Sequence, residues 1–341
     1  MRLSARRLNR TLLCRQHLLS RTAATPEEVA DHVIGLQGQE TLPPYLSLHA
    51  RVADFDPYVV SAGLEEGRWV RLGTLRGTLH LHTADDALGL RPWLQPSLEK
   101  QMLRRVPVEH ARVWEAVEEL LADGPLEQRE LSAQLAARLP GAAADLWVVA
   151  RTTMALVQLP PRGTWRGKGG IVLDHLERRT GGSLRPPDPE DVVRRYLRAY
   201  GPAAPADLSV WSGMTGLRPV MTRMPDLVRH EDDDGKTLFD VADGTLEDED
   251  VPAPVRLLGT YDNVWLAHAA RDRVTSPGTR GNWSGPNGGV ANTVFVDGWL
   301  AGLWRVVDDR VQVVDLFRDL TPAERSDLDD EISGVDALLA R

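Results

Sequence analysis

The chain has 341 residues, 42% of them hydrophobic, and a formal charge of −9. That length exceeds what one core usually fills, so two to four compact units are expected and a disordered polymer is excluded. Of 40 basic residues only Lys100, Lys168 and Lys236 are lysine; the skew reads mostly as the codon signature of a GC-rich genome, although arginine also supplies planar forks suited to phosphate. Residues 231–250 hold ten acids and one lysine, −9 by themselves, so the other 321 residues sum to zero. The first 105 residues carry 14 basic and 11 acidic side chains. A local basic face is therefore compatible with the acidic total, with the acidic run read as a solvated loop facing away from any phosphate backbone. The one cysteine, Cys14, allows neither a disulfide framework nor a thiolate metal cluster. The basic N-terminus lacks the apolar stretch of a signal peptide, and no window approaches ~18 uncharged apolar residues. The expected location is the cytoplasm.

In chain order, residues 4–20 read as a first helix, with Leu8, Leu12 and Leu19 on its apolar side. A second begins at Thr25, a good N-cap, with Pro26 at the first helical position and Glu28 closing a capping box. Gly35 and Gly38 mark its end. A short helix at 56–66 precedes "WVRLGTLRGTLHLHT", which reads as paired strands. There Leu79 and Leu81 face one way and Thr78, His80 and His82 the other.

Residues 107–122 predict a helix, "GPLEQRELSAQLAARL" a turn and short helix, and "DLWVVARTTMALVQL" a third helix. The basic, glycine-rich "PPRGTWRGKGGIVLD" follows as a hairpin. Three helices and a hairpin form the pattern of a winged helix-turn-helix. The pattern recurs: a helix at 189–200, a short one in "APADLSVWSG", an irregular one in "TGLRPVMTRM", and a hairpin in "DLVRHEDDDGKTLFDVA". From about residue 251 short strands are expected, with a tight turn at Asp297-Gly298. A helix capped by Thr321, with Glu324 three on, closes the chain. The glycine-rich "TSPGTRGNWSGPNGGVAN" is read as a mobile loop. The expected fold class is α+β: tandem winged-helix units at 1–105, 106–187 and 188–250, and a β-rich subdomain at 251–341.

Such units point first to nucleic acid, although winged helices also serve as protein-interaction modules. Arg162, Trp165, Arg166 and Lys168 combine cations with an aromatic that could stack on bases; the same tryptophan could simply anchor the hairpin. His80 and His82 share a strand face, but no third ligand stands at metal spacing, so a polar face turned to a groove is favoured over a metal site. In "GLQGQE", Gln37 and Gln39 flank a glycine. On a helix they would point apart; in an extended segment they face one side and offer two carbonyls and four N–H donors. Spacing alone favours a hydrated helix end capped by polar side chains.

The chain resembles the AlkZ/YcaQ-like family of winged-helix DNA glycosylases over nearly its whole length. The resemblance is carried by "LLCRQHLLSR", "GLQGQE" with "PPYLSLHAR", "LRGTLHLH", "VQLPPRGTWRGKGG", "YDNVWLAHAARDRV" and "TVFVDGWLAGLWR". The family's catalytic motif, glutamine, a small or aliphatic residue, then glutamine or aspartate, maps onto Gln37, Gly38 and Gln39. Glycine at the middle position departs from the usual alanine or aliphatic residue and loosens the backbone.

The resemblance implies tandem winged helices around a concave groove and a monofunctional glycosylase acting on cationic N7- or N3-alkylated purines. Bulky adducts and, in some members, interstrand crosslinks are implied as well. An alkylated purine leaves as a neutral base, so no general acid is needed, and amide dipoles could serve where carboxylates usually do. The expected partner is double-stranded DNA carrying such lesions, bound by a monomer without a cofactor or metal. Gln37 and Gln39 would lie on the groove floor near Tyr45, Arg76, His80 and His82. Arg162, Trp165, Arg166 and Lys168 would flank it, and Arg271, Arg273 and Arg305 would reach phosphates. The rivals are a winged-helix transcriptional regulator without catalysis and a drug-binding resistance protein on the same scaffold.

Overall fold

The computed structural model describes residues 1–140, 146–276 and 291–341 of a mixed helix-and-sheet (α+β) fold. Helix α1 (Ala5–Arg15) starts where the Ser4 side chain accepts from the Arg7 N–H. It stops short of the expected residue 20 because Gln16 caps it and His17 takes a left-handed φ of 54°. Helix α2 (Pro26–His32) carries the Thr25–Glu28 capping box. Its expected end at Gly35 and Gly38 lies too far along. The helix closes at His32, and positive φ values at Ile34 (56°) and Gly35 (88°) swing the chain into the two-residue strand β1 (Leu36–Gln37).

Helices α3 (Pro43–His49) and α4 (Pro57–Glu66) follow; α4 is capped by Asp56 and closed by Gly67 at φ 81°. Strands β2 (Trp69–Gly73) and β3 (Leu79–Thr83) pair antiparallel, Trp69 opposite Thr83. β1 lies along the other edge of β3, with Leu36 opposite Leu81 and Gln37 opposite His80. Thr83 then caps the long helix α5 (Ala84–Arg105).

The next segment runs α6 (His110–Leu120), β4 (Leu126–Glu127), α7 (Gln128–Arg138), α8 (Leu146–Thr153), β5 (Leu156–Gln158) and β6 (Val172–His175). The helix expected through residue 159 ends at Thr153. Leu156–Gln158 instead pairs with β6 on one side and β2 on the other, placing Arg71 opposite Gln158. One antiparallel sheet, ordered β1-β3-β2-β5-β6-β4, thus runs through residues on both sides of position 105. Between β5 and β6 the basic stretch is a loop of turns. Helix α9 (Leu176–Thr180) ends at Gly181.

Helices α10 (Pro189–Tyr200), α11 (Pro205–Ser212) and α12 (Arg218–Arg223) lead into the hairpin β7 (Leu227–Glu231) and β8 (Thr237–Val241). The acidic run is mostly exposed, but it is not only a solvated loop. Asp240 is buried and takes both Arg15 Nη atoms at 2.8 Å, and the Glu249 carbonyl accepts from Arg6. Beyond it, β9 (Arg256–Leu258) is followed by a helical turn, α13 (Asn263–Leu266), where further strand was expected. Strands β10 (Asn292–Val296), β11 (Trp299–Val307) and β12 (Arg310–Leu316) complete a sheet ordered β12-β11-β10-β9. Asp297 (φ 49°) and Gly298 (φ 78°) make the tight turn, both left-handed as that turn demands. Helix α14 (Pro322–Leu339) closes the chain behind the Thr321–Glu324 capping box. Residues 277–290 of the expected mobile loop, 275–292, lie outside the described residues, and Asn292 at its end already begins β10.

The largest core joins α1–α4, α10–α12 and the β9–β12 sheet around Trp69, Trp265 and Trp304. A second gathers Val113, Val117, Leu131, Leu135 and Val149 from α6–α8. Each such side chain fully removed from water contributes roughly 1.5–3 kcal/mol. No helix among the described residues is long and apolar enough to cross a membrane.

Candidate active site

Gln37 ends the edge strand β1 and Gln39 sits in the bend beyond it. The first is 7% exposed, while the second is exposed and accepts from Arg71 Nη2 at 3.1 Å through its backbone carbonyl. Gly38 N–H donates to the Leu79 carbonyl at 2.8 Å, and the Gly38 carbonyl accepts from Arg71 Nε at 2.8 Å. The glycine is thus pinned rather than loose. A Cβ built there meets nothing closer than 3.4 Å, so the position is not reserved for glycine by space.

Arg71 was not anticipated. It is 2% exposed, in a strand with buried neighbours Val70 and Leu72. Its remaining donor goes to Gln158 Oε1. Burial, with Arg162 and Arg151 nearby, lowers its guanidinium to about 10, so it stays charged at neutral pH. The signal in the sequence is the charge itself: an arginine inside "WVRLG" must be bonded if the strand is buried.

Arg76 lies in the turn before β3 with a left-handed φ of 57°. Its Nη2 donates to Gln37 Oε1 at 3.0 Å and lies 3.3 Å from His80 Nε2, while Nη1 donates to the Trp211 carbonyl. His80 Nδ1 stands 3.1 Å from the Thr78 carbonyl, which can only accept, so Nδ1 bears the hydrogen and Nε2 is bare. Burial, then the Arg76 charge, pushes His80 well below the ordinary histidine range. His82 is fully buried and pushed down to about 3 by burial and then by Arg195. Its Nε2 is 2.9 Å from Thr74 Oγ1, and its ring lies so close to Gly35 that a Cβ there would come within 2.2 Å of it. The two rings are 5.7 Å apart, and no group of three or more metal-binding side chains occurs among the described residues.

Tyr45 and Trp165 form a buried pair, ring centres 5.0 Å apart, from which neither ring faces solvent freely. The Tyr45 hydroxyl donates to the Gly163 carbonyl at 2.8 Å, and the Trp165 backbone N–H donates to Ser61 Oγ at 2.7 Å. Together they hold the basic loop against Arg71. Arg162 is half-buried and Lys168 exposed, and Arg162 bonds the Gly169 carbonyl at 3.4 Å. Arg166 is exposed and 3.5 Å from Asp309. A cavity of about 160 Å³ beside the Gln loop is lined by Thr41, Leu42, Tyr45, Trp165 and Val306.

Burial lowers the Arg76 guanidinium to about 10, with Tyr200 opposing and the nearby Arg271 adding to the depression. Arg273 is half-buried and donates to the Pro202 carbonyl at 2.6 Å. Arg305, exposed on β11, donates to Gln312 at 2.8 Å. Gln37, Arg76, His80, His82 and Arg271 are therefore brought together, and Tyr45, Trp165 and Arg162 join them through Arg71. No contact among the described residues ties Arg273 or Arg305 to the Gln loop.

A buried network underlies the loop. Arg51 and Asp262, both fully buried, pair through bonds of 2.7 and 2.8 Å. Ser47 donates to the same carboxylate, and Arg51 also donates to Gln16 Oε1 at 3.2 Å. Burial alone would raise the Asp262 carboxyl, but Arg51 and Ser47 prevail and hold it below the usual range. The adjoining Asn263 donates to the Gly35 carbonyl at 2.9 Å and to the Tyr200 hydroxyl at 3.0 Å. Segments far apart in the chain, around residues 16, 35, 51, 80 and 262, thereby meet at one place.

The family model described as DNA glycosylase AlkZ-like matches residues 30–337. The interstrand DNA cross-link repair glycosylase of Streptomyces sahachiroi is 26% identical over 330 residues, spanning 88% of this chain and 87% of its own. The solved structure of Streptomyces sahachiroi DNA glycosylase AlkZ matches with a TM-score of 0.82 at 23% identity, over 100% of this chain and 98% of that one, a likeness of fold. The chain belongs to the AlkZ-like DNA glycosylase family.

Proposed function

We propose that the protein hydrolyses the N-glycosidic bond of cationic N7- or N3-alkylated purines in duplex DNA. Its relative's repair of interstrand cross-links extends that proposal to bulky and cross-linked purines. The observation that carries the reading is the placement of two neutral amides at the end of an edge strand. Arg71 clamps the Gly38 and Gln39 carbonyls, Arg76 bonds the Gln37 side chain, and no carboxylate among the described residues bonds to either amide.

Such a site suits a base that needs no proton to leave. Water oxygen bonds to C1′ as the C1′–N9 bond breaks (N9 being the nitrogen that joins base to sugar). The bonding pair goes to the cationic base, which departs neutral, and the proton lost by the water passes to solvent. Gln37 and Gln39 act as fixed dipoles on the nucleotide and the entering water. Tandem winged-helix units form the duplex-wide groove over these amides, and one monomer engages one lesion. Arg162, Arg166, Lys168 and Arg271 supply phosphate contacts, with Arg273 and Arg305 further out. Tyr45, Trp165, His80 and His82 act from beneath the surface by holding the Gln loop and the basic loop in place.

The test is incubation with a duplex bearing one 7-methylguanine, then heating in alkali to cut abasic sites. Strand cleavage there, with none on an undamaged duplex or one bearing the neutral lesion hypoxanthine, supports the reading. Equal cleavage of hypoxanthine, or specific binding to one sequence with no cleavage of any lesion, refutes it.

A further inference from the structure

We propose that Arg76 fixes the Gln37 carboxamide as a hydrogen-bond donor at the site, leaving Gln39 as the acceptor. This rests on the reading of the two amides as the hydrolytic pair and divides the work between them.

A guanidinium has donors and no acceptor, so the amide atom facing Arg76 at 3.0 Å can only be the carbonyl oxygen. The guanidinium has no freedom to release it. Nη1 is bound to the Trp211 carbonyl, and the same Nη2 also serves His80, whose Nε2 is bare because Nδ1 is spent on Thr78. Its backbone is held as well, since a Cβ on Gly213 would come within 2.8 Å of the Arg76 Cα.

With its carbonyl turned inward, Gln37 presents Nε2 outward. That atom has no hydrogen-bond partner among the described residues, yet it is not one of the sealed orphan polar atoms, so the 7% of Gln37 left exposed includes it. Donation into the carbonyl polarises the amide and strengthens its N–H groups as donors. Such a group cannot take a proton from water or stabilise a sugar cation. It holds an oxygen of the nucleotide, from the phosphodiester or the sugar. Gln39, exposed and with its side chain unbonded to any described residue, keeps a free carbonyl for the entering water. Arg76 is thus a positioning residue acting through Gln37.

The decisive variant is Gln37→Glu, which keeps an oxygen toward Arg76 and replaces the outward N–H₂ by oxygen. Single-turnover excision of 7-methylguanine is measured at saturating enzyme, with the half-saturating concentration and melting temperature recorded alongside. Gln37→Glu is expected to be as slow as Gln37→Ala, on the order of a hundredfold below wild type, without a lower melting temperature. Arg76→Ala, or Arg76→Lys if the alanine variant does not fold, should slow the reaction at unchanged half-saturation. Combined with Gln37→Ala, it should add no more than about twofold to that variant's loss, as two parts of one device do. Gln37→Glu running well above Gln37→Ala, or losses that multiply in the double variant, overturns the inference. Wild-type protein that leaves 7-methylguanine intact overturns the proposed function instead.

Discussion

Acidification offers a quantitative check on the buried histidine pair. In the unfolded chain both rings titrate near 6.5, whereas in the folded protein His82 is held at about 3 and His80 well below its ordinary range. Above pH 6.5 neither state binds a proton at these rings, and the full stability is present. Below it the unfolded chain takes up protons that the folded protein refuses, so stability is lost progressively between about 6.5 and about 3. Integrating from pH 7 to pH 5 gives about 2 kcal/mol for His82, and His80 acts in the same direction. The His82 loss alone is a sizeable share of a typical stability of about 5–15 kcal/mol. Asp86, whose carboxyl burial raises before its bond to Arg195 partly offsets that, works in the opposite direction. The assay is therefore a difference: urea unfolding of wild type and His82→Asn at pH 7 and pH 5. The variant should lose about 2 kcal/mol less than wild type over that interval. Equal losses, or a folded-state His82 resonance titrating near 6.5, would refute the reasoning.

Asp262→Ala strands the fully buried Arg51 guanidinium and should cost about 3–5 kcal/mol in urea unfolding; a loss below about 1 kcal/mol would show that Arg51 finds another partner. Gly38→Ala should keep excision activity and add roughly 0.4–1 kcal/mol by restricting the unfolded chain, because its Cβ fits beside Leu81 and Arg71; a collapse in activity would mean that the glycine is needed for motion. Arg162→Ala with Lys168→Ala should weaken DNA binding similarly across sequences and reduce the salt slope by about 2; unchanged salt dependence would remove the basic loop from the interface.

What could be read from the chain and what could not divides along locality. Capping boxes at Thr25 and Thr321, the Asp297-Gly298 turn and a strand at Leu79–Thr83 are local chemistry, and each occurs where it was expected; the strand's polar face, expected to look into a groove, is buried instead at His80 and His82. Helix α5 had no counterpart in the expected elements; Pro92, half-buried, and Pro96, exposed, both sit inside it, while its Leu90, Trp93, Leu94 and Leu98 are buried. Leu156–Gln158 has the apolar pattern of a helix tail and became a strand because β2 and β6 offer it partners on both sides. The same holds for the site. Gln37 and Gln39 stood out as neutral amides around a glycine, and the resemblance gave them meaning. Arg71, Asn263 and the Arg51–Asp262 pair act across dozens to hundreds of residues, which no local pattern encodes. Trp165 was visible as an aromatic among basic residues and Tyr45 only through the resemblance; their burial against each other depends on two separate segments meeting.

The central claim is that uncharged amides, not a carboxylate, carry the hydrolysis. Glu40, exposed and next to Gln39, is the nearest acid in sequence and the natural rival base. Single-turnover rates on 7-methylguanine DNA for Gln37→Ala, Gln39→Ala and Glu40→Gln compare them directly. Losses on the order of a hundredfold are expected for each glutamine variant, with a rate close to wild type for Glu40→Gln. A Glu40→Gln enzyme that falls silent while either glutamine variant still turns over would contradict it.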